Sequence, residues 1–460
     1  MKNILFLLLI TGSIQAQNTA DAVISLGEFL GYVKKFHPIV KQANLIIDES
    51  DAKLMKARGA FDPQIEIDYS KKEFKEKEYY NNLNTTFKIP VWYGLDIKTN
   101  FENNNGLYLN PENKLPNNGL YAAGVSLSIG KNMFINQRMA QLKQAKNYEK
   151  QAQAIQKITV NKILYNAAIT YFTWVKNYNE RKVYKDFVQN AETRFKNIVK
   201  TFELGDRPAI DTLEAKILLD TRKLNYEKAK IRFVKSTWEL SNYLWLKNNI
   251  PVEIKNTIQP DINIEDKIDS YLEISVFERE TYNLNKHPEL QSLGYIINNL
   301  SIEKRLKKNN LLPKIELDYN FLYENTNELN NITNNNYKAV LALKFPVFLR
   351  KERADFKLAE LKLQEKNYEQ FTTQLKLQNQ LRSVIQELQS IQIQYKMTND
   401  IVKLYENLVN AEERKFFLGE SSLFLVNSRE SKLIELQLKA NQTQNNLLNT
   451  KAKLFNTLVR

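Results

Sequence analysis

The 460-residue sequence contains no cysteine and only two histidines. The absence of cysteine excludes disulfides, thiolate metal sites, a cysteine nucleophile and a lipidated N-terminal cysteine. Two histidines leave little for a zinc site or for histidine-based catalysis. The sequence also lacks a nucleophile elbow, a phosphate-binding glycine loop and a cluster of metal ligands. It therefore predicts a protein that is not an enzyme and that binds no cofactor.

Glycine and proline are scarce as well, with 12 and 11 residues. Because these residues interrupt helices and form turns, their scarcity predicts long, uninterrupted elements. Apart from Ile4–Ile10 there is no long apolar run, so the sequence predicts no transmembrane helix. Membrane β-strands alternate polar and apolar residues and contain no long apolar run, so this absence does not exclude a membrane β-barrel.

The first 16 residues have the layout of a secretory signal peptide. Lys2 supplies the positive start, Ile4–Ile10 the apolar core and Ala16 the residue at the cleavage site. A buried N-terminal strand is the alternative. Export argues against a nucleic-acid partner, although the net charge of +14 would otherwise favour one.

The rest of the sequence repeats once. His37-Pro38 recurs 250 residues later as His287-Pro288, and residues 62–69 match residues 312–319 at the same offset. Further on the offset is 214, so the first half carries 36 extra residues (250 − 214). We therefore divide the chain into a signal peptide, two repeats and a linker, at residues 1–16, 17–250, 251–270 and 271–460.

Each half is predicted to contain a helix, strands, a very long helix, a glycine turn and another long helix. The first helices are expected at about 26–58 and 274–308. The longest run through 136–202 and 350–416 without glycine or proline, which makes each about 100 Å long. Their hairpins should end near residues 246 and 459. The second long helix repeats apolar residues every seven positions, as in Leu381, Leu388 and Tyr395, which is typical of a coiled coil. A two-stranded rod therefore remains an alternative.

The predicted strands, about 62–130 and 313–346, alternate strictly between apolar and polar residues. Ile65 and Ile67 flank Glu66 on the other face, and Ile315 and Leu317 flank Glu316 in the same way. The extra residues predict another hairpin at 83–102, turning at Tyr93-Gly94. Long loops are expected at 71–82, 103–118 and 324–336.

The duplicated His-Pro helix start, the strand that follows a proline, and the two glycine turns resemble the TolC-like outer-membrane efflux protein family (outer membrane factors). The turns are Phe202–Asp211 and Phe416–Leu425. The resemblance covers essentially the whole mature chain. It implies a mainly α fold with membrane β-strands: a homotrimer whose outer-membrane β-barrel continues into a long α-helical barrel in the periplasm.

The function implied by this resemblance is that of a passive exit duct in a tripartite efflux or type I secretion system. Its partners would be a periplasmic adaptor protein, an inner-membrane transporter and outer-membrane lipid. The alternative is a secreted, periplasmic coiled-coil structural or adaptor protein without a pore. Family members usually contribute four barrel strands per protomer, whereas this chain offers six, or eighteen per trimer. A periplasmic flap at 83–102 is the rival interpretation.

The resemblance also implies roles for individual residues. The turns Leu204-Gly205 and Leu418-Gly419 would dock the adaptor, although glycine caps of the helices would explain them equally well. Asp211, Arg207, Leu425 and Ser428 would constrict the pore. From the strand alternation and the closure of the barrel, Glu66, Asp68, Glu316 and Asp318, together with Lys88 and Lys98, would face the barrel lumen, the alternative being a solvated strand face.

Three basic clusters lie where the helices are expected to meet the barrel, and they would contact anionic lipid head groups there. They are Lys53, Lys56 and Arg58; Arg305, Lys307 and Lys308; and Arg350, Lys351 and Arg353. Exposed surface charge is the simpler account.

Overall fold

The computed structural model describes residues 23–255, 257–272, 282–325 and 335–459, so the expected signal peptide lies outside the described residues. The chain is mostly helical. The helices are α1 (Leu26–Phe36), α2 (Pro38–Gly59), α3 (Gln137–Glu203), α4 (Ala209–Ser241), α5 (Ile268–Tyr271), α6 (Pro288–Asn309), α7 (Arg350–Phe417) and α8 (Leu423–Leu458). Within these ranges, none of the helices is both long and apolar enough to cross a membrane.

Most strands are long and belong to one large sheet, and four short strands form two separate two-stranded pairs. They are β1 (Val23–Ile24), β2 (Gln64–Phe74), β3 (Lys77–Pro90), β4 (Leu95–Asn105), β5 (Leu120–Gly130), β6 (Trp245–Leu246), β7 (Ile250–Pro251), β8 (Gln259–Pro260), β9 (Lys314–Tyr323) and β10 (Tyr337–Lys344). Short 3-10 turns occupy Trp92–Gly94, Pro111–Asn113, Lys247–Asn249, Ile264–Asp266 and Leu284–Lys286.

Both very long helices are present. Helix α3 has 67 residues and α7 has 68, and neither contains glycine or proline. At 1.5 Å per residue each is about 100 Å long. Each ends at a glycine turn and is followed by a second long helix, of 33 residues in α4 and 36 in α8.

The first helix of each half differs from the sequence prediction. The expected helix at 26–58 is two helices, because Pro38 has no N–H to donate and holds His37 in an extended conformation (φ −63°, ψ 133°). In the second half α6 begins only at Pro288, for the same reason; the expected start at 274 lies outside the described residues. In both halves the histidine caps the helix, since His37 Nδ1 accepts from the Ile39 N–H and His287 Nδ1 from the Glu289 N–H, each at 3.2 Å. The structural role of these histidines is therefore at the helix start.

The large sheet has six antiparallel strands in the order β10-β9-β5-β4-β3-β2. The extra hairpin at 83–102 is part of this sheet, since β3 pairs with β2 and β4 pairs with β5. Its turn is at Tyr93-Gly94, where both residues have positive φ. This pairing favours strands of the large sheet over a periplasmic flap at 83–102.

The expected long loop at 71–82 is also wrong. Strands β2 and β3 continue through it and meet at a two-residue turn, Lys75-Glu76, where φ is 51° and 58°. Positive φ at both central residues is the hairpin turn that matches the twist of the strands. The charged side chains of this segment suggested a loop, but strand pairing depends on the backbone and tolerates them. The loop between β4 and β5 is present, and part of the 324–336 loop lies outside the described residues.

The described chain forms two compact units. One comprises the described residues within 1–40, 162–280 and 383–456, and the other those within 41–161, 281–382 and 457–460. Each unit contains segments from both halves of the sequence, so the repeat boundaries stay a prediction. The core of the first unit is aromatic, with Tyr171, Trp174 and Phe233 buried. The second contains the whole large sheet and small clusters such as Leu54, Ala57, Leu142 and Ala145.

Candidate functional site

One face of the large sheet is apolar and exposed. Ile65 and Ile67 on β2 are 69% and 65% exposed, and Leu341 and Leu343 on β10 are 72% and 69% exposed. The strand register keeps apolar residues together, for example Leu341 opposite Leu317. Exposed apolar surfaces of this extent mark contact with a partner or a membrane.

The opposite face is polar and partly ion-paired. Lys98 Nζ on β4 lies 3.3 Å from Asp318 Oδ1 on β9, so the sheet brings predicted lumen residues from both halves of the sequence together. Glu316 is paired with Lys314. Glu66 lies opposite Thr86, whose hydroxyl donates to Asn100 Oδ1 at 3.1 Å. Glu66 and Asp68 have no ion pair among the described residues. All four predicted lumen residues thus lie on one face of the sheet, and their exposure to a lumen stays a prediction.

Sequence reasoning missed an ion-paired junction between the sheet and α3. Arg138, in the first turn of α3, donates to Asp96 Oδ1 at 2.9 and 3.0 Å and to the Val91 carbonyl at 3.1 Å. Lys88 Nζ lies 3.0 Å from the other oxygen of Asp96. The strand alternation gave Asp96 only as one more polar position, and nothing in the sequence indicates its contact with a helix 42 residues later.

Some members of the predicted basic clusters already contact acidic or aromatic side chains. Lys53 pairs with Glu49 at 2.7 Å, Lys307 pairs with Asp355 at 3.4 Å, and the Arg350 guanidinium lies 5.2 Å from the ring centre of Phe348. In the described part of the chain the remaining members carry no ion pair: Lys56, Arg58, Arg305, Lys308, Lys351 and Arg353. Lipid contact stays a prediction for these residues.

The two glycine turns have the same backbone geometry. In the first, the Gly205 N–H donates to the Phe202 carbonyl (2.9 Å) and the Asp206 N–H to the Thr201 carbonyl (3.0 Å). Gly419 N–H to Phe416 and Glu420 N–H to Lys415 repeat this pattern at 3.1 and 2.9 Å. With φ of 83° and 79° at the glycines, both are Schellman caps, so the predicted capping role is confirmed. Leu204 and Leu418 project from these turns, 67% and 63% exposed.

The predicted constriction residues fall into two sets. Arg207 Nη1 lies 3.4 Å from Asp211 Oδ2, one helical turn away, and its guanidinium lies 4.5 Å from the ring centre of Phe416. Leu425 and Ser428 are exposed on the first turns of α8. In the described chain no hydrogen bond or ion pair joins either of them to the Arg207–Asp211 pair.

A buried charge cluster near these turns was also missed. Arg194 on α3 lies 3.0 Å from Glu430 on α8 and 2.7 Å from Glu413 on α7, and Arg222 on α4 lies 3.5 Å from Glu430. Glu430 is 1% exposed. Burial lowers the pKa of the Arg222 guanidinium, while the charge of Glu430 opposes that shift. This cluster joins all four long helices, through residues up to 236 positions apart in sequence.

The sequence itself matches no protein-family model and no curated protein. Its structure is similar to crystal structures of outer-membrane proteins. The Campylobacter jejuni outer membrane channel CmeC matches with a TM-score of 0.65 and 13% identity, over 94% of this chain and 85% of that chain. The open state of the Neisseria gonorrhoeae outer membrane channel MtrE matches with a TM-score of 0.65 and 10% identity, over 94% and 88%.

The outer membrane protein VceC from Vibrio cholerae is similar to the same degree, with a TM-score of 0.63 and 11% identity over 94% of this chain and 95% of that chain. All three likenesses span nearly the full chain, so they include the sheet as well as the long helices. The resemblance predicted from the sequence is confirmed at the level of fold: this chain has the TolC-like fold of outer-membrane efflux channels.

Proposed function

We propose that this protein is the outer-membrane channel of a tripartite efflux or type I secretion system. It would serve as a passive exit duct, joined by a periplasmic adaptor to an inner-membrane pump that supplies the energy. The observation that carries the proposal is the large sheet, with an exposed apolar face and an ion-paired polar face, in a chain with the fold of efflux channels. The apolar face would contact lipid and the polar face would line water.

The edges of the sheet support a homotrimer. Within the described residues, strands β2 and β10 each pair with a single strand, and every residue of both is exposed. Exposed strand edges are not tolerated in a bilayer, because their backbone N–H and C=O groups lack partners there. Three copies would close the sheet into a barrel of eighteen strands, with two structural repeats per protomer.

Exposed apolar stripes on the helices of the first unit support the same assembly. The stripe on α4 repeats every seven residues from Ile217 to Trp238, and its members are 52–70% exposed: Ile210, Leu213, Ile217, Leu224, Ile231 and Trp238. A second stripe follows α7 through Ile393, Met397, Ile401, Leu404 and Leu408. Such spacing is typical of helices that pack against neighbours. Other copies would cover these stripes in a periplasmic helical barrel.

The glycine turns would form the periplasmic end of the duct. The exposed Leu204 and Leu418 beside the caps offer small apolar surfaces for the adaptor. The helix starts after these turns would narrow the pore, through Arg207 and Asp211 on one side and Leu425 and Ser428 on the other. If Leu425 narrows it, Leu425→Ser raises single-channel conductance; unchanged conductance removes Leu425 from the constriction.

Cysteine labelling tests the channel directly, because the chain has no cysteine of its own. Single cysteines at Thr86 and Lys98, on the polar face of the extra hairpin, should react with a membrane-impermeant thiol reagent in reconstituted protein. Cysteines at Phe87 and Ile97, their neighbours on the apolar face, should react poorly with it and should respond to lipid-soluble quenchers. Ready aqueous reaction at Phe87 and Ile97 would contradict a lipid-facing sheet.

The second candidate is a secreted coiled-coil structural or adaptor protein without a pore, which the heptad spacing of α7 favours. Fractionation separates the two. A trimer that requires detergent and conducts ions in planar bilayers supports the channel, whereas a dimeric rod that is soluble without detergent supports the alternative.

A further inference from the structure

On the polar face of the sheet, both edge strands carry charged side chains that have no ion pair in the described chain. Glu66, Asp68 and Lys72 are on β2, and Lys338 and Lys344 are on β10. On the inner strands, most charges at the same face are paired: Lys88 with Asp96, Lys98 with Asp318, and Lys314 with Glu316. Glu102 on β4 instead accepts a hydrogen bond from the Asn100 side-chain amide. The first half of β2 is therefore acidic on this face, and both charges of β10 on this face are basic.

We propose that β10 of one copy pairs with β2 of the next copy in a single register, with Lys344 opposite Gln64, and that the charges of the two edges match across this seam. The inference rests on the proposed trimeric channel and goes beyond it by specifying the contact. The inner strands suggest the register, because their ends nearest the helices form one row across the sheet. This row contains the last residue of β5, the first of β9 and the last of β10: Gly130, Lys314 and Lys344. Gln64, the first residue of β2, continues that row.

In this register each carboxylate has a lysine as a diagonal neighbour. Glu66 lies opposite Ala342 and diagonal to Lys344, and Asp68 lies opposite Val340 and diagonal to Lys338. Diagonal neighbours on one face of a sheet are about 7–8 Å apart at the backbone, which a lysine side chain spans. The small side chains of Ala342 and Val340 leave the space between them open.

Neighbouring registers are less favourable. A shift of one residue would place Lys344 opposite Ile65 and bring polar and apolar residues to the same face. A shift of two residues in one direction would set Lys344 opposite Glu66, but it would also set two like charges, Lys338 and Lys72, directly opposite each other. A shift of two in the other direction would set Lys338 opposite Asp68, but it would also set Leu343 opposite Pro63, which has no N–H to donate to the ladder.

The proposed register also gives a reasonable barrel. A line across the strands from Gln64 passes through Lys88, Lys98, Gly124 and Asn320 to Lys338. It then reaches Ser70 of the next copy, six residues further along β2. Eighteen residues of shear over eighteen strands correspond to a strand tilt of about 35°, within the usual range for barrels.

Disulfide cross-linking tests the register. Gln64→Cys combined with Lys344→Cys in the full-length protein should give covalent dimers and trimers on oxidation, since directly opposite residues lie within disulfide range. Neither single variant should give covalent dimers or trimers. In the proposed register Asp68 lies four residues further along β2 than Gln64, the residue opposite Lys344. The pair Asp68→Cys with Lys344→Cys should therefore cross-link weakly.

A charge exchange tests the ion pairs independently. Glu66→Lys should lower the temperature at which the trimer dissociates in detergent, and adding Lys344→Glu should restore much of the loss. If light scattering finds a trimer that the first cysteine pair does not cross-link, or that the exchange does not restore, the proposed seam is wrong and the channel proposal stands. A protein that is monomeric in mild detergent would overturn both.

Discussion

At the scale of single residues, the buried Glu430 should carry more of the stability than any exposed ion pair. It lies between Arg194 and Arg222, and the Arg222 Nε has no hydrogen-bond partner. Removing the carboxylate leaves two like charges in a poorly solvated place, so we expect Glu430→Gln to lower the free energy of unfolding by about 3–5 kcal/mol. Denaturant unfolding in detergent, followed by circular dichroism, measures this loss.

The matched control for that change is Glu227→Gln. Glu227 pairs with Lys230 at 3.2 Å, but both side chains are more than half exposed, so the loss should stay within about 0.5 kcal/mol. Equal effects of the two substitutions would mean that the buried cluster contributes nothing beyond a surface pair.

The histidine caps make stability depend on pH. His287 is 2% exposed, and its burial lowers the pKa below the usual 6.5. The folded state therefore keeps the imidazole neutral, so its stabilisation is complete above about pH 6.5 and is lost as the pH falls through 6.5 towards the lowered folded value. The loss is at most about 1.4 kcal/mol per pH unit for one histidine.

Substitution by asparagine isolates this effect, because asparagine also caps helices but does not titrate. Between pH 7 and 5, His287→Asn should unfold with a smaller pH dependence than the unaltered protein, as measured by denaturant titrations at several pH values. His37, whose pKa is also lowered by burial, should keep part of the slope. An unchanged slope in the double variant His37→Asn/His287→Asn would exclude both histidines as its source.

At the scale of elements, the glycine turns limit how the helical hairpins end. An alanine Cβ at Gly205 would meet nothing within 4 Å, so only the positive φ of 83° opposes substitution. We expect Gly205→Ala to destabilise the protein by about 1–2 kcal/mol, which is the usual cost of a left-handed conformation for alanine. Thermal unfolding monitored at 222 nm would detect this change.

Gly294 provides the opposite case for comparison. It lies within α6, has no positive φ, and has the same free space where the methyl group of an alanine would lie. Here alanine should stabilise the protein by about 0.5–1 kcal/mol, because glycine is a poor helix former. Two changes of the same sign would show that backbone conformation does not explain the glycine turns.

Elements with a strong periodic signal could be predicted from the sequence. Long helices without glycine or proline and strands with strict alternation, such as β2 and β9, are present close to their expected positions. The Lys75-Glu76 turn could not be predicted, because neither residue is typical of positive φ. The Arg194–Glu430 and Arg138–Asp96 contacts could not be predicted either, since a sequence pattern shows which face a residue takes but not which distant residue it meets.

At the scale of the whole molecule, the proposed trimer contains three copies of every residue, arranged around one axis. A single ion pair in the protomer then becomes a ring, and its net charge decides how ions experience the narrow part of the duct. Arg207 and Asp211 are paired at 3.4 Å, with side chains 27% and 19% exposed. The ring that they would form in the proposed trimer is neutral, which predicts weak ion selectivity and little block by multivalent cations.

Arg207→Gln would remove three positive charges and leave three carboxylates from Asp211 facing one another across the pore. Carboxylate rings favour cations in channels, so the variant should become cation-selective and should be blocked by divalent or trivalent cations applied from the side of the turns. Planar-bilayer recordings of reversal potential in a salt gradient, with and without the blocking ion, measure both effects. Adding Asp211→Asn removes the carboxylates and should return selectivity and block to the original values. If Arg207→Gln leaves selectivity and block unchanged, these residues do not line the pore, and the constriction lies elsewhere along the helices.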